Sequence, residues 1–480
     1  MAYYHGVKTS EIATSVISAV ETNAGLPVVF GTAPIHLTED PTAAVNKPVI
    51  CYSYEEAVAA LGYSNDWEKF TLCEQIYAQF KLYGVAPIVF VNVLDPARHK
   101  KSSTTTVTLE KGVGTVAAPV LLNTLKVTDG TATSKVGTII TDFTAAFNAD
   151  EELVITVVEG GVLADSQTLQ LTYDEVDASG VKAADIIGGV DSEGNATGLE
   201  LLDEVYHQFS IVPGLVAAPG WTQEPTVASV MKAKSRVINN LFRATSVTDI
   251  DTKEVKKYTD AYMWKTGNGY TGAAQIVCWP MVRNGDYIFH MSTHIIGIIG
   301  QCDASNSDIP TLSPSNKDIN ITGLCLADGK EVSLNNSQAN LLNSQGIMTA
   351  LNVNGWKSWG NYTGAYPGTT DVKDTFICVR RFFDWDDQTF ILTYWQKVDM
   401  PILPRNIKTV LDSEGIRLNG LTSRGFILGG RIEFKESENP VTDLLAGKIR
   451  FHKYRTPPIP AQEIESISEY DVSYFEQLFK

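Results

Sequence analysis

Four side chains within one short stretch carry the densest chemistry in the sequence: Asp286, His290, Ser292 and His294. His290 and His294 are four positions apart, so a helix would place both on one face, as two metal ligands require. The glutamate that follows the first histidine in the common zinc-protease motif is replaced by Met291. Ser292 has no Gly-x-Ser-x-Gly turn to expose it as a nucleophile. We therefore predict packed or surface side chains here, with no catalytic and no metal site.

Two glycine-rich segments could bind a ligand. Residues 267–272 match Gly-x-Gly-x-x-Gly, but they neither follow a convincing strand nor open a helix, as dinucleotide binding requires, which favours a turn. The loop at 355–368 carries four aromatic residues, Trp356, Trp359, Tyr362 and Tyr366. These rings could stack on a sugar or a base, although packing against a neighbouring domain is more common. The motifs thus predict no enzyme and no cofactor.

The overall charge excludes one class of partner and suggests another. The chain has 480 residues and a formal net charge of -17, whereas nucleic-acid binding is built on clustered Lys and Arg. Residues 401–460 differ, because they contain ten Lys or Arg and only six Asp or Glu. We expect no nucleic-acid partner, and a basic face in this window that could meet an acidic one.

The cysteines and the hydropathy predict where the protein is made and whether it enters a membrane. The six cysteines are scattered without a Cys-x-x-Cys pair, which is typical of reduced core residues in a protein made in a cytoplasm. No window supplies the roughly 20 apolar residues of a membrane span. We therefore expect no direct membrane insertion.

The elements that must position these residues form three regions. Short apolar runs such as 28–34 and 88–94 alternate with helical patterns, which predicts an α/β core with a parallel sheet over 23–97 and 200–345. Residues 98–199 are rich in Thr, Ser, Val and Gly, and they predict an inserted, β-rich outer domain. Residues 346–463 predict an α+β domain.

Within this last region we predict strands at 347–353, 375–383 and 389–396 and a helix at 407–424. Both ends of the chain favour extended arms, at 1–22 and 464–480. Their large apolar residues have no later segment to cover them and call for a partner. The arm candidates are Val16, Ile17, Val20, Tyr474, Phe475, Leu478 and Phe479.

Several motifs in the same order resemble the tail sheath proteins of contractile-tailed bacteriophages, a family that includes R-type bacteriocins and related contractile injection systems. They are the opening at 5–12, the segment at 25–34, the Trp-Gly loop at 352–360 followed by Arg380 and Arg381, the stretch at 418–430, and the proline-rich bend before the terminus. The resemblance extends over nearly the whole chain, and residues 98–199 are covered least.

This resemblance implies a fold and a function. The core would be subtilisin-like without a catalytic triad. The subunits would polymerise as a helical stack of hexameric rings around the tail tube, with the arms adding strands to neighbouring sheets. Contraction would then drive the tube through the host envelope for genome ejection. A carbohydrate-binding or hydrolytic tail protein is the alternative, and a tail tube subunit fits less well because such subunits are shorter, closed β structures.

The implied partners are the chain itself, the tail tube protein, and the baseplate and tail terminator proteins. The implied location is the virion, with assembly in the host cytoplasm. We place the 346–463 domain toward the tube. The tube-contact candidates are Arg405, Lys408, Arg417 and Arg424.

Overall fold

The computed structural model describes residues 23–131 and 135–479. The predicted N-terminal arm, with Val16, Ile17 and Val20, therefore lies outside the described residues. The first part of the core contains three strands and two helices: β1 (Pro27–Gly31), β2 (Pro48–Cys51), α1 (Tyr54–Leu61), α2 (Thr71–Tyr77) and β3 (Ile88–Asn92). The hydroxyl of Ser53 accepts a hydrogen bond from the backbone of Glu56 and caps α1, as its sequence pattern predicts. A π-helical turn, Ala78–Tyr83, continues α2.

The next segment is built almost entirely of strands: β4 (Lys100–Thr108), β5 (Val113–Val116), β6 (Lys126–Thr128), β7 (Val136–Gly137), β8 (Phe143–Phe147), β9 (Leu153–Val157), β10 (Thr168–Val176), α3 (Ala183–Ile187), β11 (Gly189–Val190) and β12 (Ala196–Thr197). They form sheets ordered β4-β10-β6-β7, β5-β9-β8 and β11-β12. Side chains between Val107 and Tyr173 form a separate hydrophobic cluster. Val176, Val181, Ile186 and Leu199 instead pack in the main core.

The chain then returns to the core: α4 (Val205–Phe209), β13 (Leu215–Ala217), α5 (Pro225–Lys234), β14 (Thr245–Asp249), α6 (Ala261–Gly267), β15 (Gln275–Cys278), β16 (Met281–Asn284), β17 (Tyr287–Phe289), α7 (Met291–Ser305), β18 (Gly323–Cys325), β19 (Glu331–Val332) and α8 (Asn336–Asn343). Strands from before and after the inserted segment share one six-stranded sheet, ordered β15-β14-β13-β1-β3-β2. Only β2 is antiparallel to its neighbour. Residues of β1, β3, β13, β14 and β15 are all buried, as expected for a parallel sheet covered on both faces.

The C-terminal part contains β20 (Thr349–Asn352), β21 (Trp356–Trp359), α9 (Val372–Thr375), α10 (Ile377–Tyr394), α11 (Pro404–Ser423), β22 (Gly429–Glu433), α12 (Val441–Leu445) and β23 (His452–Thr456). The predicted strands at 375–383 and 389–396 are wrong, because one 18-residue helix, α10, replaces both. Cys378, Phe382, Trp385 and Thr389 recur every three or four positions and form its buried face.

Short 3-10 helices complete the structure: Ile35–Leu37, Leu122–Thr124, Ala178–Gly180, Gly198–Glu204, Trp395–Lys397, Glu436–Glu438 and Val472–Phe479. The fold is thus mixed α/β with several sheets and several regions. All six cysteines are buried and free, as predicted. Within the described ranges, no helix is long and apolar enough to cross a membrane.

The turn after α1 gives a direct test of the core. Gly62 has φ 75° and ψ 173°, a region that is essentially restricted to glycine, and a Cβ there would lie 2.4 Å from the Pro34 carbonyl oxygen. Gly62→Ala should lower the free energy of unfolding by about 3 kcal/mol. Gly84→Ala is the matched control, because Gly84 also has a positive φ but open space around it, and should cost about 1 kcal/mol. Urea denaturation measures both free energies of unfolding. Equal decreases for Gly62→Ala and Gly84→Ala would contradict this account.

Candidate assembly site

The C-terminal tail exposes large apolar side chains along its whole length. Ile464 and Phe479 are each 90 % exposed, and the others exposed by more than half are Ile467, Tyr470, Val472, Tyr474, Phe475 and Leu478. Four of these residues, Tyr474, Phe475, Leu478 and Phe479, are the predicted arm candidates. Eight exposed apolar side chains in one segment lower the solubility of an isolated subunit, and such segments mark interaction sites.

A short sheet with two open edges lies at the root of this tail. β22 and β23 pair antiparallel, from Gly429 opposite Thr456 to Glu433 opposite His452. No third strand of the described chain joins them. The outer edges therefore present backbone N–H and C=O groups that a strand from another chain can pair with.

The predicted tube-contact residues on and just after α11 do not share one environment. Arg405, Lys408 and Arg424 are exposed. Arg417 instead turns inward: its side chain is only 12 % exposed, and it pairs with Glu414 at 2.8 Å and with Asp386. Its charge is neutralised inside the subunit. The exposed cations of this region are thus Arg405, Lys408 and Arg424.

Asp386, on α10, is the centre of a buried ion cluster. Its carboxylate, fully buried, pairs with Lys453 and Arg455 at 2.6 Å each and with Arg417. Burial alone would raise the pKa of Asp386, but the three cations outweigh it and hold the pKa at about 2. The cluster joins α10, α11 and β23, so it fixes the open sheet to the helices.

Other charged residues of α10 join the C-terminal part to the core. Arg381 donates to Asp303 of α7 at 3.0 Å and to the carbonyl oxygen of Ala24 at 2.9 Å. Asp384 accepts two hydrogen bonds from Arg236, at 2.6 and 2.9 Å. Since these groups are largely buried, loss of Arg381 would leave Asp303 with an uncompensated charge. Asp384 has a second partner, because it also pairs with Arg380 at 2.8 Å. Sequence reasoning missed both clusters. The signal that could have revealed them is the pair Arg380 and Arg381, followed about one helical turn later by Asp384, Asp386 and Asp387.

In the motif at 286–294, His290 and Ser292 each pair with a buried carboxylate, whereas Asp286 is exposed. His290 pairs with Glu74 at 2.8 Å, and Ser292 donates to Asp249 at 2.5 Å. Burial lowers the pKa of His290, but Glu74 outweighs that effect and raises it to about 9, whereas burial raises the pKa of Asp249. Ser292 and Asp249 are both buried, so this serine has a carboxylate partner and no access to a substrate.

His294 lies apart from His290 in its contacts. Its Nδ1 is 2.7 Å from the Tyr83 hydroxyl, and burial lowers its pKa to about 3. Across the described residues, no group of three His, Cys, Asp or Glu side chains is placed to hold a metal ion. The segment 267–272 follows α6 and opens no helix, and in the aromatic loop Tyr362 stacks on Tyr366 with centroids 3.8 Å apart.

The chain was also compared with known proteins. No family model matches it. It is 28 % identical to the tail sheath protein of Burkholderia phage BcepMu over 487 residues, which cover 98 % of each chain. It is 24 % identical to the tail sheath protein of Escherichia phage P2 over 289 residues, or 58 % of this chain and 68 % of that protein.

Solved structures show the same fold over almost the full length. The contracted helical sheath of the anti-feeding prophage matches with a TM-score of 0.58 at 14 % identity, covering 98 % of this chain and 100 % of that one. The contracted sheath of the PVC extracellular contractile injection system matches with a TM-score of 0.58 at 13 % identity, covering 99 % of both.

The chain thus has the mixed α/β fold of these contractile sheaths, with an exposed apolar tail beside a two-stranded sheet. More narrowly, the chain is a homologue of the phage tail sheath proteins and is a structural sheath subunit, which confirms the resemblance seen in the sequence motifs.

The Asp386 cluster predicts that replacing one carboxylate by an amide strongly lowers the free energy of unfolding. Asp386→Asn leaves three buried cations, Arg417, Lys453 and Arg455, with only two carboxylates beside them, Glu414 and Asp387. It should lower the free energy of unfolding by about 3 kcal/mol at pH 7. Asp412→Asn makes the same exchange at an exposed position of α11, so it is the matched control and should cost less than about 1 kcal/mol.

The same cluster predicts a pH dependence. The pKa of Asp386 is depressed to about 2, so its contribution is complete above the unfolded value near 4 and is lost as the pH falls toward 2. Chemical unfolding of the native chain and both variants from pH 7 to pH 3 measures this. A difference between native chain and Asp386→Asn that does not shrink on acidification would argue against the cluster.

Proposed function

We propose that the chain polymerises as a helical stack of hexameric rings around a tail tube and contracts to drive that tube through the host envelope for genome ejection. The observation that carries this proposal is the exposed C-terminal tail beside a sheet with two open edges. A donor strand and an acceptor edge on the same molecule generate a head-to-tail contact, and such contacts extend into helices when they do not close into a ring.

The acceptor is the β22–β23 sheet, and the donor is the arm at 464–480 of a neighbouring copy. Main-chain hydrogen bonds would supply affinity, and alternate side chains would supply specificity. We propose that the arm at 1–22 acts in the same way.

Contraction needs no nucleotide in this scheme. The extended sheath is a kinetically trapped state, and a signal at the baseplate releases the subunits into a shorter, wider lattice with larger contacts between bodies. The arms persist as hinges while the bodies move. The core, which we propose to be subtilisin-like without a triad, moves as one unit with the C-terminal part because buried ion pairs join them.

The face toward the tube is proposed to be the exposed basic side of the α11 region. Arg405, Lys408 and Arg424 would meet an acidic tube surface, and electrostatic complementarity of this kind sets orientation and association rate. The inserted segment at 98–199 would then lie on the outside. Baseplate and tail terminator proteins would bind the two ends of the polymer, which forms in the host cytoplasm and ends up in the virion.

Removal of the arm tests the polymer contact. Deleting residues 464–480 should leave the melting temperature of the subunit unchanged, because the tail is exposed, and should abolish polymerisation. Sedimentation and negative-stain electron microscopy measure the outcome. The control is the double variant Glu465→Gln and Glu469→Gln, which keeps the apolar side chains and should still polymerise. Normal sheaths from the truncated chain would contradict the donor role.

Charge reversal tests the tube contact. Arg405→Glu with Lys408→Glu should weaken co-sedimentation with purified tubes by roughly tenfold, about 1.4 kcal/mol, and most strongly at low salt. Lys111→Glu with Lys126→Glu makes the same charge change on the inserted segment and should leave tube binding intact. Equal binding by both double variants would place the tube elsewhere.

A further inference from the structure

The C-terminal arm has a defined anatomy between the end of β23 and its exposed part. Residues 457–460 read Pro-Pro-Ile-Pro, a sequence that favours a stiff polyproline II strut, and Pro457 is buried against the body. Two positions further on, the side-chain amide of Gln462 makes two hydrogen bonds to the body. Its Nε2 donates to Asn361 Oδ1 at 2.6 Å, and its Oε1 accepts from the Tyr362 hydroxyl.

The segment that binds this amide, Asn361 and Tyr362, is rigid, and we call it the seat of the arm. The Tyr362 ring is stacked between Tyr366, at a centroid distance of 3.8 Å and an interplanar angle of 5°, and Phe376, at 5.2 Å. The carbonyl oxygen of Asn361 accepts from the backbone N–H of Ile377, the first residue of α10. The aromatic loop is therefore fixed to the helix that carries the buried ion pairs.

Beyond Gln462 the arm changes in its contacts with the rest of the subunit. In the described part of residues 463–479, the recorded contacts are internal to the stretch: Ser473 donates to Asp471, and Tyr470 lies 6.3 Å from Phe475. Gln462 is thus the last residue of the arm whose recorded hydrogen bonds join it to the body. Two hydrogen bonds at the surface are weak enough to open thermally.

We propose that Tyr362 and Gln462 are positioning residues that clasp the root of the C-terminal arm and set the length of the tether between neighbouring subunits. With the clasp closed, the free arm of 18 residues spans at most about 60 Å. With the clasp open, the five residues 458–462 swing free from the buried Pro457 and add about 15 Å. This inference rests on the proposed function, and it gives the aromatic loop a role as the seat of the arm.

The clasp can be tested in the unpolymerised subunit. Spin labels at Glu463→Cys and Ser423→Cys report the distance from the arm root to α11, and the six native cysteines are buried and would not compete for label. The native background should give one narrow distance peak. Gln462→Ala, and Tyr362→Phe, which removes only the hydroxyl and keeps the ring stack, should broaden that peak toward longer distances by up to about 15 Å.

The matched control is Glu465→Ala, which lies just past the clasp and should leave the peak narrow. The melting temperature of each variant should stay unchanged, which separates loss of the clasp from loss of the fold. A narrow peak in both clasp variants, or a broad peak in the native background, would overturn the proposal.

Polymerisation provides a second readout. A longer tether lowers the effective concentration of the arm at its acceptor roughly as the −3/2 power of the tether length. Gln462→Ala should therefore still polymerise, but about 1.5-fold more slowly than Glu465→Ala. Equal rates would overturn the tether role. A failed donor-strand function would instead appear as polymerisation that persists after the whole arm is deleted, while the distance measurement still reports the clasp alone.

Discussion

The structure depends on the charged side chains that α10 buries. Arg381, Asp384 and Asp386 each pair with a partner from a different element, and those partners come from α7, from the segment after α5, and from α11 and β23. Buried pairs of this kind contribute little net stability compared with apolar packing, but breaking one is costly. They therefore specify a single arrangement of the core, the helices and the open sheet.

Apolar packing supplies the stability around this charged layer. The parallel sheet is fully buried, and Phe382 and Trp385 of α10 pack with Leu418 and Leu421 of α11. The groups that we propose to mediate assembly, by contrast, lie at the surface, in the C-terminal tail and along the edges of β22 and β23. The described residues thus combine a packed interior with an exposed C-terminal tail, a combination that suits the proposed polymer with two packing states.

The sequence was sufficient for the α/β core because its signals are local. Ser53 caps α1, Pro225 begins α5, and the strands at 27–31 and 88–92 are continuous apolar runs. It failed at α10, where two strands are predicted although the apolar residues recur at helical spacing. The charged side chains that α10 buries have partners far away in sequence, and a local pattern cannot reveal such pairs. Arg417 illustrates the same limit, since only the fold shows that it faces Asp386.

The central claim is that this chain is a sheath subunit that assembles with its own copies around a tube. Electron microscopy of the purified full-length protein, alone and with tail tubes, tests it most directly. We predict hollow helical cylinders with six subunits per ring, wide enough to hold a tube. Monomers or small closed oligomers at every concentration, with and without tubes, would contradict the account.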